Sequence, residues 1–188
     1  MLRKSMNPDK RIQIARAQWA SEYTYTKPTP VIAGKLWVGS MDDASNVDWL
    51  IENKITHVVN CGQPLYQYNE RVGYVAGLKG VFVVNAEDTT GYPLLTKHLD
   101  SVVSFCDKAF LDPDTRILFH CMAGINRSPT LVLAYAALRF NLHLETLVER
   151  FAVAFEGLMK LRPIIMENDD FYKELIHWVS LPAEGWKS

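Results

Sequence analysis

The sequence predicts an α/β fold, a three-layer sandwich with a mostly parallel central sheet of about five strands flanked by helices. Two observations lead there. Short runs rich in β-branched and aromatic residues alternate with longer segments of helical periodicity, the pattern of strands joined by helices. One of those runs, "ILF" at 117–119, leads through "HCMAGINR" into the apolar stretch "SPTLVLAYAAL", a strand–loop–helix passage with a glycine in the loop.

Residues 1–30 read as an N-terminal helical extension and linker. Ile12, Ala15 and Trp19 fall at helical spacing, and "TKPTP" at 26–30 then breaks any helix. The domain is expected to occupy residues 31–188. "KLWVGS", "THVVNC", "GVFVVNA" and "RILFHC" read as strands. "DDASNVDWLIENK" and a segment near 94–110 lie between them as amphipathic helices. The second places Leu95, Leu99, Val102, Cys106 and Phe110 on one face. Three more helices are expected after Cys121. The first spans about 128–140 and stops at Asn141, a residue that tolerates the left-handed conformation. The next spans about 144–156 and ends before Gly157, with Leu144, Leu147, Val148, Phe151 and Phe155 inward. The last spans about 169–180, with Asn168 as its cap.

Composition narrows the function. The chain has 188 residues, 48% hydrophobic and 22% charged, which suits one globular domain with a substantial core. A formal net charge of −1 gives no support for a nucleic-acid or anionic-membrane partner. The apolar run "LVLAYAAL" falls well short of the roughly 20 residues that a membrane span needs. No apolar segment of a secretory signal follows Met1. Cys61, Cys106 and Cys121 make no disulfide framework and lack the paired spacing of a zinc site. A reducing, cytoplasmic location is the expectation, with the nucleus as an alternative.

The chemistry concentrates in the loop. Ligands of a parallel sheet bind beyond the carboxyl ends of its strands, where loops enter helices, and Cys121 stands there. Pro129 suits the first turn of the following helix. Backbone N–H groups between Met122 and Arg127 are then free to converge on one anion, with the helix dipole adding to the attraction. Gly124 lets the loop take conformations that a side chain forbids, and Arg127 offers a planar fork of donors matching two phosphate oxygens. The same electropositive cradle favours the ionised sulfur of Cys121, the form that is nucleophilic. Ser128 is placed to donate a hydrogen bond to that sulfur as it leaves. His120 is expected to brace the loop rather than to act as a base. Taken singly, a cysteine after a strand is an ordinary small buried residue and an arginine at a helix start an ordinary surface group. The set His120, Cys121, Met122, Ala123, Gly124, Ile125, Asn126, Arg127 and Ser128, in strand–loop–helix context, is a candidate phosphate-binding loop.

"HCMAGINRS" resembles the signature His-Cys, five residues, Arg-Ser/Thr of the cysteine-dependent protein phosphatases, and in particular their small atypical dual-specificity branch. "LWVGSMDDASN", "KITHVVN", "SPTLVLAYAALRF" and Arg162-Pro163 resemble that branch too. The resemblance implies metal-independent hydrolysis of phosphotyrosine and phosphoserine or phosphothreonine through a phosphocysteine intermediate, with a phosphorylated protein as partner. It also implies a general acid on an earlier loop, which in "VVNAEDTTGY" falls on Asp88, with Glu87 as the neighbouring competitor. Asn126 departs from the serine or small residue that many relatives carry there, and "MENDDF" lacks the usual proline. Some phosphatases of this kind place a resolving cysteine at the strand end where Cys61 stands, although a buried free cysteine is more often inert.

Other functions remain open at this level. A phosphoinositide or RNA 5′-triphosphate phosphatase on the same scaffold is one, and a non-catalytic phosphate-binding module is another. Phosphoinositide enzymes of this type carry lysines in the loop, where this chain has the uncharged Met122, Ala123 and Ile125. Non-catalytic members have usually lost the cysteine, the arginine or the acid, and all three are present here.

Overall fold

The computed structural model describes residues 27–62 and 76–181. The helix expected around Ile12–Trp19 lies outside them. Among the described residues five strands form one sheet: β1 (Thr29–Ile32), β2 (Leu36–Gly39), β3 (His57–Asn60), β4 (Gly80–Val83) and β5 (Ile117–His120), in spatial order β1-β2-β5-β3-β4. All neighbours run parallel except β1, which pairs antiparallel with β2. The expected α/β sandwich is therefore found.

β1 corrects the expected domain boundary, because Thr29 and Pro30 belong to the sheet and not to a linker. Proline cannot donate to a ladder, which hides such a strand in the sequence. It is tolerated at an edge, and here the pairing is irregular between Pro30 and Ile32.

The helices are α1 (Met41–Ser45), α2 (Val47–Glu52), α3 (Leu94–Ala109), α4 (Arg127–Arg139), α5 (Leu147–Leu161) and α6 (Asp169–Ser180). The single amphipathic segment expected after β2 is two short helices. The side chain of Asn46 accepts from Trp49 N–H and so starts a new helix where the first one stops. The helix expected to end before Gly157 runs through it to Leu161. Burial of Phe155, Leu158 and Met159 around the glycine outweighs its low helix propensity, roughly 1 kcal/mol against alanine. Asn141 does take the left-handed conformation, with φ 55°, just beyond α4. Asn168 does cap α6, accepting from Asp170 N–H.

Alternation along the strands builds the layers. Leu36, Val38, Val59, Ile117 and Phe119 face α3 to α6 in the main core, while Trp37, Val58 and Leu118 face Ala44 and Leu50 of α1 and α2. β2 and β5 are buried throughout, as central parallel strands are. α4 is buried on every side from Arg127 to Ala137. It forms the central post of the helical layer, and its first turn delivers the residues of the loop.

Candidate active site

The loop after β5 is shaped from outside. Arg162 is completely buried just past α5; its Nε donates to the carbonyl oxygen of Gly124 and its Nη2 to that of Ala123, both at 2.9 Å. Met41 N–H, in the first turn of α1, donates to the Met122 carbonyl at 3.0 Å, and Met166 N–H donates to the Ile125 carbonyl at 2.6 Å. In a trans peptide the C=O and N–H point in opposite directions. With these carbonyls tied outward, the N–H groups of Ala123, Gly124, Ile125 and Asn126 turn to the inside of the loop, a ready anion cradle. Gly124 has φ +70°, and a Cβ there would strike the Arg162 guanidinium and the Gly39 carbonyl. Only glycine fits this close approach. Met166 itself is left-handed, with φ 57°, unusual for a long side chain and a local strain beside the loop.

Cys121 sits at the floor, 3% exposed. The Ser128 hydroxyl, in the first turn of α4, donates to its Sγ at 3.3 Å. His120 is 2% exposed, and its Nδ1 lies 3.4 Å from the Cys121 carbonyl oxygen. Burial holds its pKa down at about 4, assisted by the Arg127 charge and opposed by that carbonyl contact. The imidazole is therefore neutral near pH 7 and lies against the backbone of the loop, as a brace does.

Arg127 is 7% exposed. Its Nη1 donates to the Ala86 carbonyl at 3.1 Å, and its Nε, 3.5 Å from Asp88 Oδ2, makes an ion pair but no hydrogen bond. A buried guanidinium edge without a hydrogen bond calls for an acceptor. Asp88 reaches the site from the irregular segment after β4. Asn126 Nδ2 lies 3.3 and 3.2 Å from its two oxygens, and Asn168 Nδ2 donates to Oδ1 at 3.2 Å. Glu87, the competitor, is exposed.

The structure thus brings Cys121, Ser128, Arg127 and Asp88 to one place. Cys61 is adjacent as well. Asn60 pairs with His120 across β3 and β5, and Cys61 N–H donates to the His120 carbonyl at 2.7 Å, so the two cysteines follow at the next position of neighbouring strands. Cys61 is fully buried and its thiol pKa is pushed well up, first by burial and then by Cys121. Cys106 is likewise buried, on α3, with its pKa raised by burial.

Sequence reasoning missed three supports of the site. Arg162 entered only as part of an Arg-Pro resemblance, with no role. The links Asn126–Asp88 and Asn168–Asp88 were not foreseen, although Asn126 stood out as unusual. The carbonyl of Ala86, which holds Arg127, carries no side-chain signal at all.

The family model for the dual specificity phosphatase catalytic domain matches residues 36–180, and the chain belongs to that family. Among curated relatives, dual specificity protein phosphatase 26 of Homo sapiens is 33% identical over 141 residues, covering 75% of this chain and 62% of the relative. The chain thus spans less than two thirds of that relative's length. Among solved structures, DUSP15 superposes with a TM-score of 0.64 at 28% identity, covering 87% of this chain and 92% of that one. OH1 of the Orf virus, a tyrosine phosphatase, superposes with a TM-score of 0.68 over 92% of this chain and 96% of its own. At 17% identity it shares the fold.

Proposed function

We propose that this protein is a cysteine-dependent phosphatase of phosphorylated proteins, acting on phosphotyrosine and on phosphoserine or phosphothreonine. The observation that carries the reading is the cradle itself: loop carbonyls tied outward above Cys121, with Arg127 alongside and Asp88 over it.

The phosphate of the substrate takes the loop N–H groups and the Arg127 fork. The Cys121 thiolate attacks phosphorus while the bond to the leaving oxygen breaks, and Asp88 gives that oxygen a proton. A phosphocysteine results. Water then attacks phosphorus, Asp88 takes its proton, and the sulfur leaves as thiolate into the Ser128 hydrogen bond. Loop donors stabilise charge on the equatorial oxygens in both steps, with little reorganisation.

The surroundings support a protein substrate. Beside Asp88 and Asn126 lies a cavity of about 400 Å³ whose rim carries Glu167, Asp169 and Asp170. An acidic rim repels inositol polyphosphates and RNA, and the uncharged loop side chains offer such polyanions nothing. Three unpaired thiols fit a reducing compartment such as the cytoplasm. The test is hydrolysis of phosphotyrosine peptide, phosphothreonine peptide, phosphoinositide and triphosphorylated RNA by the full chain and by Cys121→Ser. Turnover of the peptides alone, lost in the serine variant, is expected. Preferred turnover of the lipid or the RNA would overturn the protein-substrate reading, and an unimpaired serine variant the mechanism.

A further inference from the structure

Asp88 belongs to a stretch, residues 84–93, without helix or strand, and Glu87 to Thr90 are exposed. A group that must hand over a proton within one hydrogen-bond length needs firmer support than such a segment supplies. The support comes from two carboxamides. Asn126 Nδ2 reaches both Asp88 oxygens, while Asn126 Oδ1 accepts from Asn168 N–H at 3.1 Å. Asn168 Nδ2 donates to Asp88 Oδ1, while Asn168 Oδ1 accepts from Asp170 N–H at 3.1 Å and caps α6. Asp170 Oδ2 in turn holds Gly91 N–H at 2.8 Å, near the end of the same stretch. Three separate segments therefore meet on Asn126 and Asn168.

The chemistry of an amide suits this place. The ion pair with Arg127 favours Asp88 only while it is ionised, and a bound phosphate competes for the same guanidinium. A neutral N–H donor keeps its hold on a carboxyl oxygen in either protonation state, because each oxygen retains a lone pair to accept with. It adds no positive charge to compete for phosphate.

We propose that Asn126, seconded by Asn168, is the positioning residue of the general acid, fixing the Asp88 carboxyl over the phosphate loop for proton delivery to the leaving oxygen. This rests on the reading of Asp88 as that acid. It also gives the carboxamide at Asn126 a positioning role.

The test is steady-state kinetics of the full chain on phenyl phosphate, a poor leaving group, and p-nitrophenyl phosphate, a good one. The variants are Asp88→Asn, Asn126→Ser, Asn168→Ser and the double Asp88→Asn/Asn126→Ser. Serine at 168 keeps an oxygen for the α6 cap and removes only the amide donor. Asn126→Ser should lower kcat on phenyl phosphate by roughly 10- to 100-fold, the scale of a misplacement near 1 Å. The loss should be several-fold smaller on p-nitrophenyl phosphate, with KM changing less than kcat. Asn168→Ser should show the same pattern more weakly, although it lies outside the loop. The double variant should be no slower than Asp88→Asn alone. Equal losses on both esters for Asn126→Ser, or losses that multiply with Asp88→Asn, overturn the proposal. An Asn168→Ser enzyme without the leaving-group pattern removes Asn168 from it. If Asp88→Asn itself loses equally on both esters, it is the assignment of the acid that fails, and the clamp falls with it.

Discussion

Arg162 and Gly124 are joined at 2.9 Å, guanidinium Nε to backbone carbonyl, in a contact wholly removed from solvent. A buried arginine spent on the backbone of a loop is a scaffold for that loop. Replacing it by methionine keeps bulk but leaves the buried Gly124 carbonyl without its donor, at about 1–3 kcal/mol, and releases the Ala123 carbonyl to solvent. Arg162→Met should therefore lower the melting temperature and, by letting the cradle relax, reduce kcat/KM by about 100-fold. Thermal unfolding and aryl phosphate kinetics check both. A variant that loses stability but keeps full kcat/KM would show that the loop holds its shape without Arg162.

Arg127→Lys retains the charge at the loop and loses the fork. An ammonium, with its donors on one centre, cannot reproduce the planar fork that reaches two phosphate oxygens while another nitrogen holds the Ala86 carbonyl. Turnover should fall by about 10²–10³-fold, the scale for losing a donor to transition-state charge. Near-normal kcat would mean that Arg127 acts only as a countercharge.

Asp88→Asn removes the transferable proton and keeps the size of the side chain. Turnover on poor leaving groups should fall by about 10²–10⁴-fold, and the fall should shrink as the leaving group becomes more acidic. A plot of log kcat against leaving-group pKa measures this. A flat difference would make Asp88 structural and direct attention to Glu87.

Peroxide oxidises a cysteine thiolate to the sulfenic acid, releasing hydroxide. Attack of the Cys61 sulfur on the sulfenic sulfur of Cys121 would form a disulfide and release the oxygen as water. Neighbouring strands lie about 4.7–4.9 Å apart, within the Cα range that a disulfide accepts, and the register sets the two cysteines at matching positions. The raised pKa of Cys61 opposes capture, since the thiol form dominates below it and the thiolate fraction grows as pH climbs toward it. The expected result is a reversible bridge whose yield over sulfinic acid increases from pH 7 to pH 9. Peptide mass spectrometry after mild peroxide reads it, and Cys61→Ala should shift the product to sulfinic acid. A free Cys61 beside sulfinic Cys121 at both pH values would refute the pairing.

The phosphate loop was legible because its parts are consecutive. His120 to Ser128 carry the proposed nucleophile, the proposed anion donors and the start of α4 within one short stretch, so residue type and local geometry suffice. Strands and amphipathic helices were legible for a similar reason: the face of α3 repeats every turn, and burial follows it from Leu95 to Cys106. β1 was not, because Pro30 reads as a breaker until an edge position makes it harmless. The continuation of α5 through Gly157 was not, because the packing that overrides glycine comes from other segments.

By itself, then, the sequence determined the class of fold and pointed to Cys121, Arg127 and the loop between them as a candidate site, all matters of local order. Tertiary structure decided what surrounds them: the carboxamides that meet Asp88 and the buried guanidinium that ties the loop carbonyls outward. Asp88, Asn126, Asn168 and Arg162 come from four separate stretches. Their amides, carboxylates and guanidinium can pair with many partners, and only the approach of those stretches across the folded domain selects one.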